Sequence, residues 1–141
     1  MARADSEGPA AVLDASALLA HLTEEEGASV VRHAMADGAA ISVVNWTEVL
    51  SKLAERGEDP ELAAAELKEA GLVGGVIWIE PVTYEDSIRI ARLRPLTRTR
   101  GLSLADRACL ALAGRLRVPV LTADGAWIDL PNVRVVVKPI R

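Results

Sequence analysis

The sequence predicts an α/β fold in which helices cover a parallel sheet. Short apolar runs alternate along the chain with amphipathic helical stretches, and this alternation is typical of parallel sheets. Half of the residues are apolar and 26% are charged, as in an ordinary globular domain. With 141 residues, the chain is long enough for one sizeable core and does not favour two domains. We expect one domain over residues 11–141, preceded by a disordered lead over residues 1–10.

Each element of this fold has a local signal. Strands are apolar runs bounded by turn residues, and helices begin at capping residues. The predicted strands are residues 11–15, which feed a helix through Asp14, then 39–44, 76–80, 118–122 and, at the sheet edge, 132–137. The predicted helices are one directly after Asp14 and those over residues 24–37, 46–55, 61–70, 83–93 and 103–116. Residues 95–100, between the last two helices, predict a basic loop.

The helix over residues 103–116 carries a clear periodic signal. At helical spacing one apolar stripe is formed by Leu104, Ala105, Ala108, Cys109, Leu112, Ala113 and Leu116. Ser103 is a good N-cap, which places Asp106 in the first turn beside the stripe. A carboxylate in this position is either a helix cap or part of a site, and the pattern allows both.

Four carboxylates are expected near one edge of the sheet. Asp14 follows the first predicted strand and Asp124 the fourth, and ligand sites of parallel sheets lie beyond the carboxyl ends of the strands. Asn45 is predicted to cap the helix after the second strand, which places Glu48 in its first turn. Asp106 reaches this edge only if the basic loop brings its helix there. Each acid has an alternative interpretation as a local cap or turn residue.

A cluster of carboxylates needs a counterion. Two carboxylates about 4 Å apart repel by about 1 kcal/mol in water and by about 4 kcal/mol at an effective dielectric constant of 20. The predicted donor set contains oxygen alone, with no convergent His or Cys, and this favours Mg²⁺ or Mn²⁺ over zinc. The sequence therefore predicts a divalent metal site.

The charge of the chain is unevenly distributed. The formal net charge is -4, yet eight of the 16 basic residues are arginines within residues 89–117, a span with a single acid. We expect the arginines from Arg89 to Arg107, with Arg98, Arg100 and Arg107 as the binding residues among them, to form an electrostatic path for a nucleic acid, with a solvated helix face and loop as the alternative. Trp127, close to the fourth acid, is expected either to stack on a base or to pack in the core.

Other residue types limit the class of protein. Cys109 is the single cysteine, which excludes an internal disulfide framework and fits a reducing compartment. Its place on the apolar stripe predicts a core thiol rather than a nucleophile. The sequence shows neither a secretory signal nor an apolar run that could span a bilayer, so we expect a cytoplasmic protein. No G-x-G-x-x-G motif follows a strand, so no nucleotide cofactor is expected.

Four segments carry a resemblance to a known family. They are LDASALLA (residues 13–20), NWTEVLSKL (45–53), GLSLADRACLALA (101–113) and VPVLTADGAW (118–127). In this order and spacing they resemble the signature blocks of PIN-domain proteins, and most closely the VapC-like toxins of type II toxin–antitoxin modules. The resemblance implies a three-layer α/β/α fold and a metal-dependent endoribonuclease whose products carry a 5′-phosphate and a 3′-hydroxyl.

The resemblance also assigns roles to residues. It implies that Asp14, Glu48, Asp106 and Asp124 form an acidic quartet that holds the metal. We expect Asp14 and Asp106 to bind it directly, and Glu48 and Asp124 to bind it or to orient water. Ser16 matches a hydroxyl position that assists the metal or the phosphate. Many relatives carry a further polar residue where this chain has residues 125–127, which leaves one or two metal ions open.

The implied partners are RNA, a VapB-like antitoxin that covers the acidic crevice, and a second copy of the chain in a homodimer. Two alternatives to a toxin remain at this point. One is a non-catalytic PIN-like module that binds RNA or protein, and the other is a PIN nuclease of RNA maturation outside toxin systems.

Overall fold

A five-stranded parallel sheet runs through the centre of the molecule. The computed structural model describes residues 8–141, and its strands are β1 (Ala11–Leu13), β2 (Ala39–Ser42), β3 (Ile77–Glu80), β4 (Val120–Thr122) and β5 (Val137–Pro139). They are arranged in the order β3-β2-β1-β4-β5, and every pair is parallel. The predicted α/β fold with a parallel sheet is therefore confirmed.

Six α-helices flank the sheet. They are α1 (Ala15–Leu22), α2 (Ala28–Ala36), α3 (Val43–Glu55), α4 (Pro60–Glu69), α5 (Tyr84–Thr97) and α6 (Leu104–Leu116). Single 3₁₀ turns cover Arg98–Arg100 and Gly125–Trp127. Among the described helices, none has both the length and the apolar character needed to cross a bilayer.

Two hydrophobic cores lie on opposite faces of the sheet, because successive strand residues point to opposite sides. Ala11 and Leu13 of β1 face a core shared with α1 to α4, whereas Val12 between them faces a core shared with α6. Helix α5 packs on α6 around Ile90. The result is the three-layer α/β/α arrangement, with α6 lying directly on the sheet.

The strand order creates a switch point between β1 and β4, since the chain proceeds from β1 in both directions across the sheet. Leu13 pairs with Leu121, and the Asp14 N–H donates to the Leu121 carbonyl at 3.2 Å. The carboxyl ends of these strands therefore meet, at the place where parallel α/β sheets bind ligands.

Several predicted boundaries are wrong. Helix α3 begins at Val43 rather than at Trp46, because Ser42 already caps it: its hydroxyl accepts the Val44 N–H at 3.2 Å. Asn45 is therefore inside the helix, and Glu48 lies in the second turn. Helix α2 begins at Ala28, after a left-handed glycine, and β5 lies later than predicted.

The predicted basic loop is largely helical. Helix α5 continues through Pro95 to Thr97, and Arg98–Arg100 form a 3₁₀ turn. Proline lacks the N–H of a regular helical bond, but its fixed φ angle is compatible with helical backbone. Near the end of the helix, the Thr97 hydroxyl donates to the Leu93 carbonyl at 2.8 Å.

The N-terminal lead and the α6 stripe also differ from prediction in part. Residues 1–7 of the predicted disordered lead lie outside the described residues. Ala10, the last residue of that lead, donates its N–H to the Gly38 carbonyl at 2.9 Å. On α6, Leu104 is 62% exposed, while Ala108, Cys109 and the residues that follow to position 113 are buried. The buried face of α6 thus begins one turn later than its apolar pattern indicates.

Candidate acidic site

Asp14 is a buried carboxylate at the switch point. It caps α1, since its Oδ1 accepts the Ala17 N–H at 2.8 Å and the Ser16 hydroxyl at 2.7 Å. Its Oδ2 accepts the Thr122 hydroxyl at 2.5 Å. Asp14 is 4% exposed, and burial raises its pKa to about 6 even though these hydrogen bonds favour the charged form. The charge of Asp106 contributes to this rise in the pKa.

The Ser16 hydroxyl orients the carboxylate of Asp14. Besides donating to Asp14, this hydroxyl accepts the Ala123 N–H at 2.9 Å and lies 3.4 Å from the Thr122 hydroxyl. Ser16 therefore joins α1 to the end of β4 and orients the Asp14 carboxylate. A contact with metal or phosphate, as the resemblance implies for this residue, stays a prediction.

Glu48 is more exposed than Asp14 and Asp106, and its hydrogen-bond partner is Asn45. Asn45 is fully buried, and its Nδ2 donates to the Ala105 carbonyl at 3.0 Å and to Glu48 Oε1 at 3.4 Å. This amide ties α3 to the first turn of α6. Partial burial raises the pKa of Glu48, the Asn45 hydrogen bond opposes this, and the charge of Asp106 adds to it.

Asp106 is both a helix cap and a member of the site. Its Oδ2 accepts the Ser103 N–H at 2.9 Å, and its own N–H donates to the Ser103 hydroxyl at 3.1 Å, which completes a capping box. Within residues 8–141, its Oδ1 accepts no hydrogen bond. The two interpretations of this carboxylate are therefore compatible, because one oxygen caps and the other remains available.

The charge of Asp106 acts on the other two acids. Asp106 raises the pKa of both Asp14 and Glu48. The Cys109 thiol, buried on α6, has a pKa well above its ordinary value because of burial first and then the charges of all three carboxylates. The charge on α6 thus acts on an acid at the end of β1 and on one in α3, and all three charges act on the same buried thiol.

Asp124 lies at the same sheet edge, but its carboxylate forms a hydrogen bond within its own turn. Its Oδ1 accepts the Ala126 N–H at 2.9 Å and caps the 3₁₀ turn that follows. Its N–H donates to the Thr122 hydroxyl at 3.0 Å, and that hydroxyl in turn donates to Asp14. Asp124 is exposed and is connected to Asp14 through Thr122. Its predicted role at a metal stays a prediction.

The site fits a hard cation held by few protein ligands. Within residues 8–141, no three His, Cys, Asp or Glu side chains are arranged so that they could hold a metal by themselves. Mg²⁺ keeps several of its waters and is usually bound by one or two carboxylates, so it does not need such a group. The Asp14 carboxylate and Asp106 Oδ1, which accepts no hydrogen bond in the described residues, are oxygen donors that match this mode of binding.

The predicted RNA-binding residues have varied surroundings. Arg100 donates to the carbonyls of Ala126, Ile128 and Asp129, at 2.7 to 3.3 Å, and so holds the segment after Asp124. Arg107 donates to the Ile90 carbonyl at 2.9 Å and links α6 to α5. Arg98 is exposed. Two of the three arginines thus have structural partners.

Trp127 is fully buried in the α6 core and does not present a ring face to solvent. This corrects the expectation that it could stack on a base, because the 3₁₀ turn after Asp124 directs its side chain inward. Sequence reasoning also missed Thr122 and Asn45. Thr122 is recognisable in the sequence as the polar last residue of a buried strand, whereas Asn45 has the residue type and position of a helix cap.

The fold and this site define a parallel α/β domain with acids at the switch point of its sheet. A family model described as PIN domain matches residues 11–133, and the chain belongs to this family. PIN domains are in general nucleases. A comparison with curated protein sequences found no match.

Solved structures share the fold. The chain resembles a chain of a toxin–antitoxin complex from Klebsiella pneumoniae, with 20% identity and a TM-score of 0.69, over 93% of this chain and 98% of the other. It also resembles a chain of DNA-bound VapBC from Salmonella typhimurium, with 16% identity and a TM-score of 0.69, over 94% of this chain and 99% of the other. A third similar structure is a chain of FitAcB from Neisseria gonorrhoeae, with 19% identity and a TM-score of 0.67, over 90% of this chain and 95% of the other.

Proposed function

We propose that this protein is a divalent-metal-dependent endoribonuclease and the toxin of a toxin–antitoxin pair. The observation that carries the proposal is the effect of the Asp106 charge on Asp14 and Glu48, two acids from separate elements, together with the Asn45 amide that joins Glu48 to the first turn of α6. Membership of a family that generally consists of nucleases supports hydrolysis of a nucleic acid. The structural neighbours, which come from toxin–antitoxin complexes, support the role as a toxin.

In this proposal the chain's own residues prepare the site. Asp14 and Asp106 hold the metal, while Ser16 and Thr122 fix the Asp14 carboxylate by hydrogen bonds. Glu48, with its raised pKa and greater exposure, orients water at the open side of the site. A bound Mg²⁺ or Mn²⁺ supplies positive charge that stabilises the transition state of phosphodiester cleavage.

The proposed partners follow from the charge of the site. An antitoxin that covers the acidic crevice neutralises its charge and excludes RNA, and the structural neighbours that are solved as complexes support such a partner. The proposal includes a homodimer acting in the cytoplasm. Sedimentation of the purified chain tests the homodimer.

Cleavage of total cellular RNA by purified, partner-free protein tests the proposed function. We expect cleavage with Mg²⁺ or Mn²⁺ and none with EDTA, and mapping of the new 5′ ends should show 5′-phosphates. A protein that binds RNA but does not cut it with either metal would support the non-catalytic module instead. Cleavage without a neighbouring antitoxin gene would favour a nuclease of RNA maturation.

Asp106→Asn is expected to abolish cleavage and leave the melting temperature of the metal-free protein nearly unchanged. An amide oxygen can still accept the Ser103 N–H, so the capping box keeps its acceptor, whereas the negative charge is lost. Thermal unfolding and the RNA assay measure both effects. If Asp106 is only a cap, Asp106→Ala should lower stability by about 0.5–2 kcal/mol with cleavage intact.

Asn45→Ala is expected to raise the Mn²⁺ concentration needed for half-maximal cleavage by about 10- to 100-fold, the usual cost of losing a residue that orients a metal ligand. The substitution removes the amide that ties α3 to the Ala105 carbonyl, next to the proposed metal ligand Asp106, and that also donates to Glu48. Cleavage rates over a Mn²⁺ titration measure the effect. A loss of stability with an unchanged Mn²⁺ dependence would show that Asn45 has a packing role alone.

A further inference from the structure

Some arginine side chains in the described part of the chain have partners and others have none. Arg92, Arg117 and Arg134 are exposed, and within residues 8–141 their guanidinium groups make no hydrogen bond or ion pair. By contrast, Arg100 and Arg107 donate to backbone carbonyls. The guanidinium groups of Arg92, Arg117 and Arg134 are therefore free to bind a ligand.

Arg92, Arg117 and Arg134 line one groove. Two adjoining cavities of about 320 and 270 Å³ lie between α5, α6 and the segment 132–136, and they share Gly114, Arg134 and Val135. Arg92 lines the first cavity and Arg117 the second. We call this feature the α5–α6 groove. Its floor is apolar and includes Leu93, Leu110 and Ala111 of the first cavity.

The charged side chains that line the groove are all positive. In the described part of the chain, no Asp or Glu side chain lines either cavity. Arg89 also lines the groove but is paired with Asp86 at 3.1 Å. Three like charges around one apolar floor repel one another, and a bound polyanion removes this repulsion while its apolar groups cover the floor.

We propose that the α5–α6 groove binds single-stranded RNA outside the cleavage site, an inference that rests on the proposed ribonuclease function. Arginine is suited to this ligand because its planar group binds phosphate through two donors and also stacks on bases. The apolar floor receives the base faces, and the unpartnered guanidinium groups contact the backbone. An acidic protein segment would use the charges but would leave the apolar floor without a flat partner.

The test is RNA binding by a variant that keeps the arginine stems but not their charges. Arg92→Gln, Arg117→Gln and Arg134→Gln are combined in the Asp106→Asn background, in which RNA is expected to remain uncut. Fluorescence anisotropy without divalent metal follows a labelled single-stranded RNA of about 16 nucleotides, the upper end of common site sizes. We expect Kd to rise about tenfold or more and the slope of log K against log salt to flatten by about 2, because each lost phosphate contact removes about 0.7.

Two further variants control this result. The first control removes three exposed charges from other faces by combining Arg32→Ala, Arg56→Ala and Lys68→Ala. We expect this control to change the salt slope by less than half as much as the groove variant does. Gly114→Met fills the groove without changing charge: a Cβ there lies 3.8 Å from Val135 Cγ2, an ordinary contact, and the residue is helical. We expect this variant to bind RNA more weakly while melting at or above the wild-type temperature.

Several outcomes would overturn the proposal. An unchanged Kd and salt slope in the groove variant would do so, as would an equal loss in the control variant. A change in sedimentation of the RNA-free groove variant would show that the groove is a contact between protein chains. These results are independent of catalysis, because a wild-type protein that fails to cut RNA with Mg²⁺ refutes the proposed function whether or not the groove binds RNA.

Discussion

Asp14→Asn is expected to abolish RNA cleavage and, at pH 8 without metal, to stabilise the protein by about 1–2 kcal/mol. Burial raises the pKa of Asp14 from 3.8 to about 6, which corresponds to about 3 kcal/mol of unfavourable free energy for the ionised, folded form. Asparagine does not ionise and escapes this cost. Part of this stabilisation is lost, because the asparagine amide nitrogen replaces the oxygen that accepts the Thr122 hydroxyl.

The sign of the pH dependence follows from the raised pKa. Below pH 3.8 Asp14 is protonated in the folded and unfolded chain alike, and its favourable contribution is fully present. As the pH rises through about 6, the unfolded chain releases this proton more readily than the folded one, so folding stability falls. We therefore expect the advantage of Asp14→Asn to shrink between pH 8 and pH 4.

Urea denaturation in EDTA at several pH values measures this difference. The matched control is Asp37→Asn, which makes the same chemical change at the exposed C-cap of α2. It should leave both the cleavage and the pH dependence of stability unchanged. A destabilised Asp14→Asn variant at pH 8 would show that the Asp14 carboxylate serves chiefly as a cap of α1.

Asp86→Ala is expected to lower the free energy of unfolding by about 3 kcal/mol or more, because it leaves a partly buried arginine without its counterion. The Asp86 carboxylate accepts Arg115 Nε at 3.0 Å and Nη2 at 3.2 Å, and Arg89 adds a contact at 3.1 Å. It also completes the capping box of α5 with Thr83. Burial alone would raise the pKa of Asp86, but the Thr83 N–H and Arg115 outweigh it and hold this pKa below its ordinary value.

Because the pKa of Asp86 is lowered on folding, its contribution is present at neutral pH and is lost as the pH falls through the folded value. Urea denaturation at pH 7 measures the loss. Asp59→Ala is the matched control, since Asp59 caps α4 through the Glu61 N–H at 2.8 Å but forms no ion pair in the described residues. It should cost about 1 kcal/mol. Equal losses in the two variants would mean that the bond to Arg115 adds nothing beyond a cap.

The fold and the acids at strand ends could be predicted because their signals are local. An apolar run closed by Asp14 fixes both the end of β1 and the cap of α1, and Ser103 with Asp106 forms the predicted capping box. Parallel pairing then brings Asp14 to the switch point regardless of side-chain detail. The family resemblance, carried by four segments, agrees with the family match over residues 11–133.

What the sequence could not supply are contacts between distant residues. Asn45 looks like a cap in isolation, and only packing against α6 shows that its amide holds the Ala105 carbonyl. The arginines between residues 89 and 117 form one cluster in the sequence. Tertiary structure divides them, since Arg115 pairs with Asp86, Arg100 holds a loop, and Arg92 stays free in the groove.

Crystals of the protein grown with Mn²⁺, in place of the weakly scattering Mg²⁺, give the most direct measurement of the central claim. We expect an anomalous difference peak in contact with Asp14 and Asp106 and close to Glu48, and we expect it to disappear in Asp106→Asn. Crystals with no peak there at a saturating concentration of Mn²⁺, and with the three carboxylates turned towards separate regions of solvent, would contradict the account.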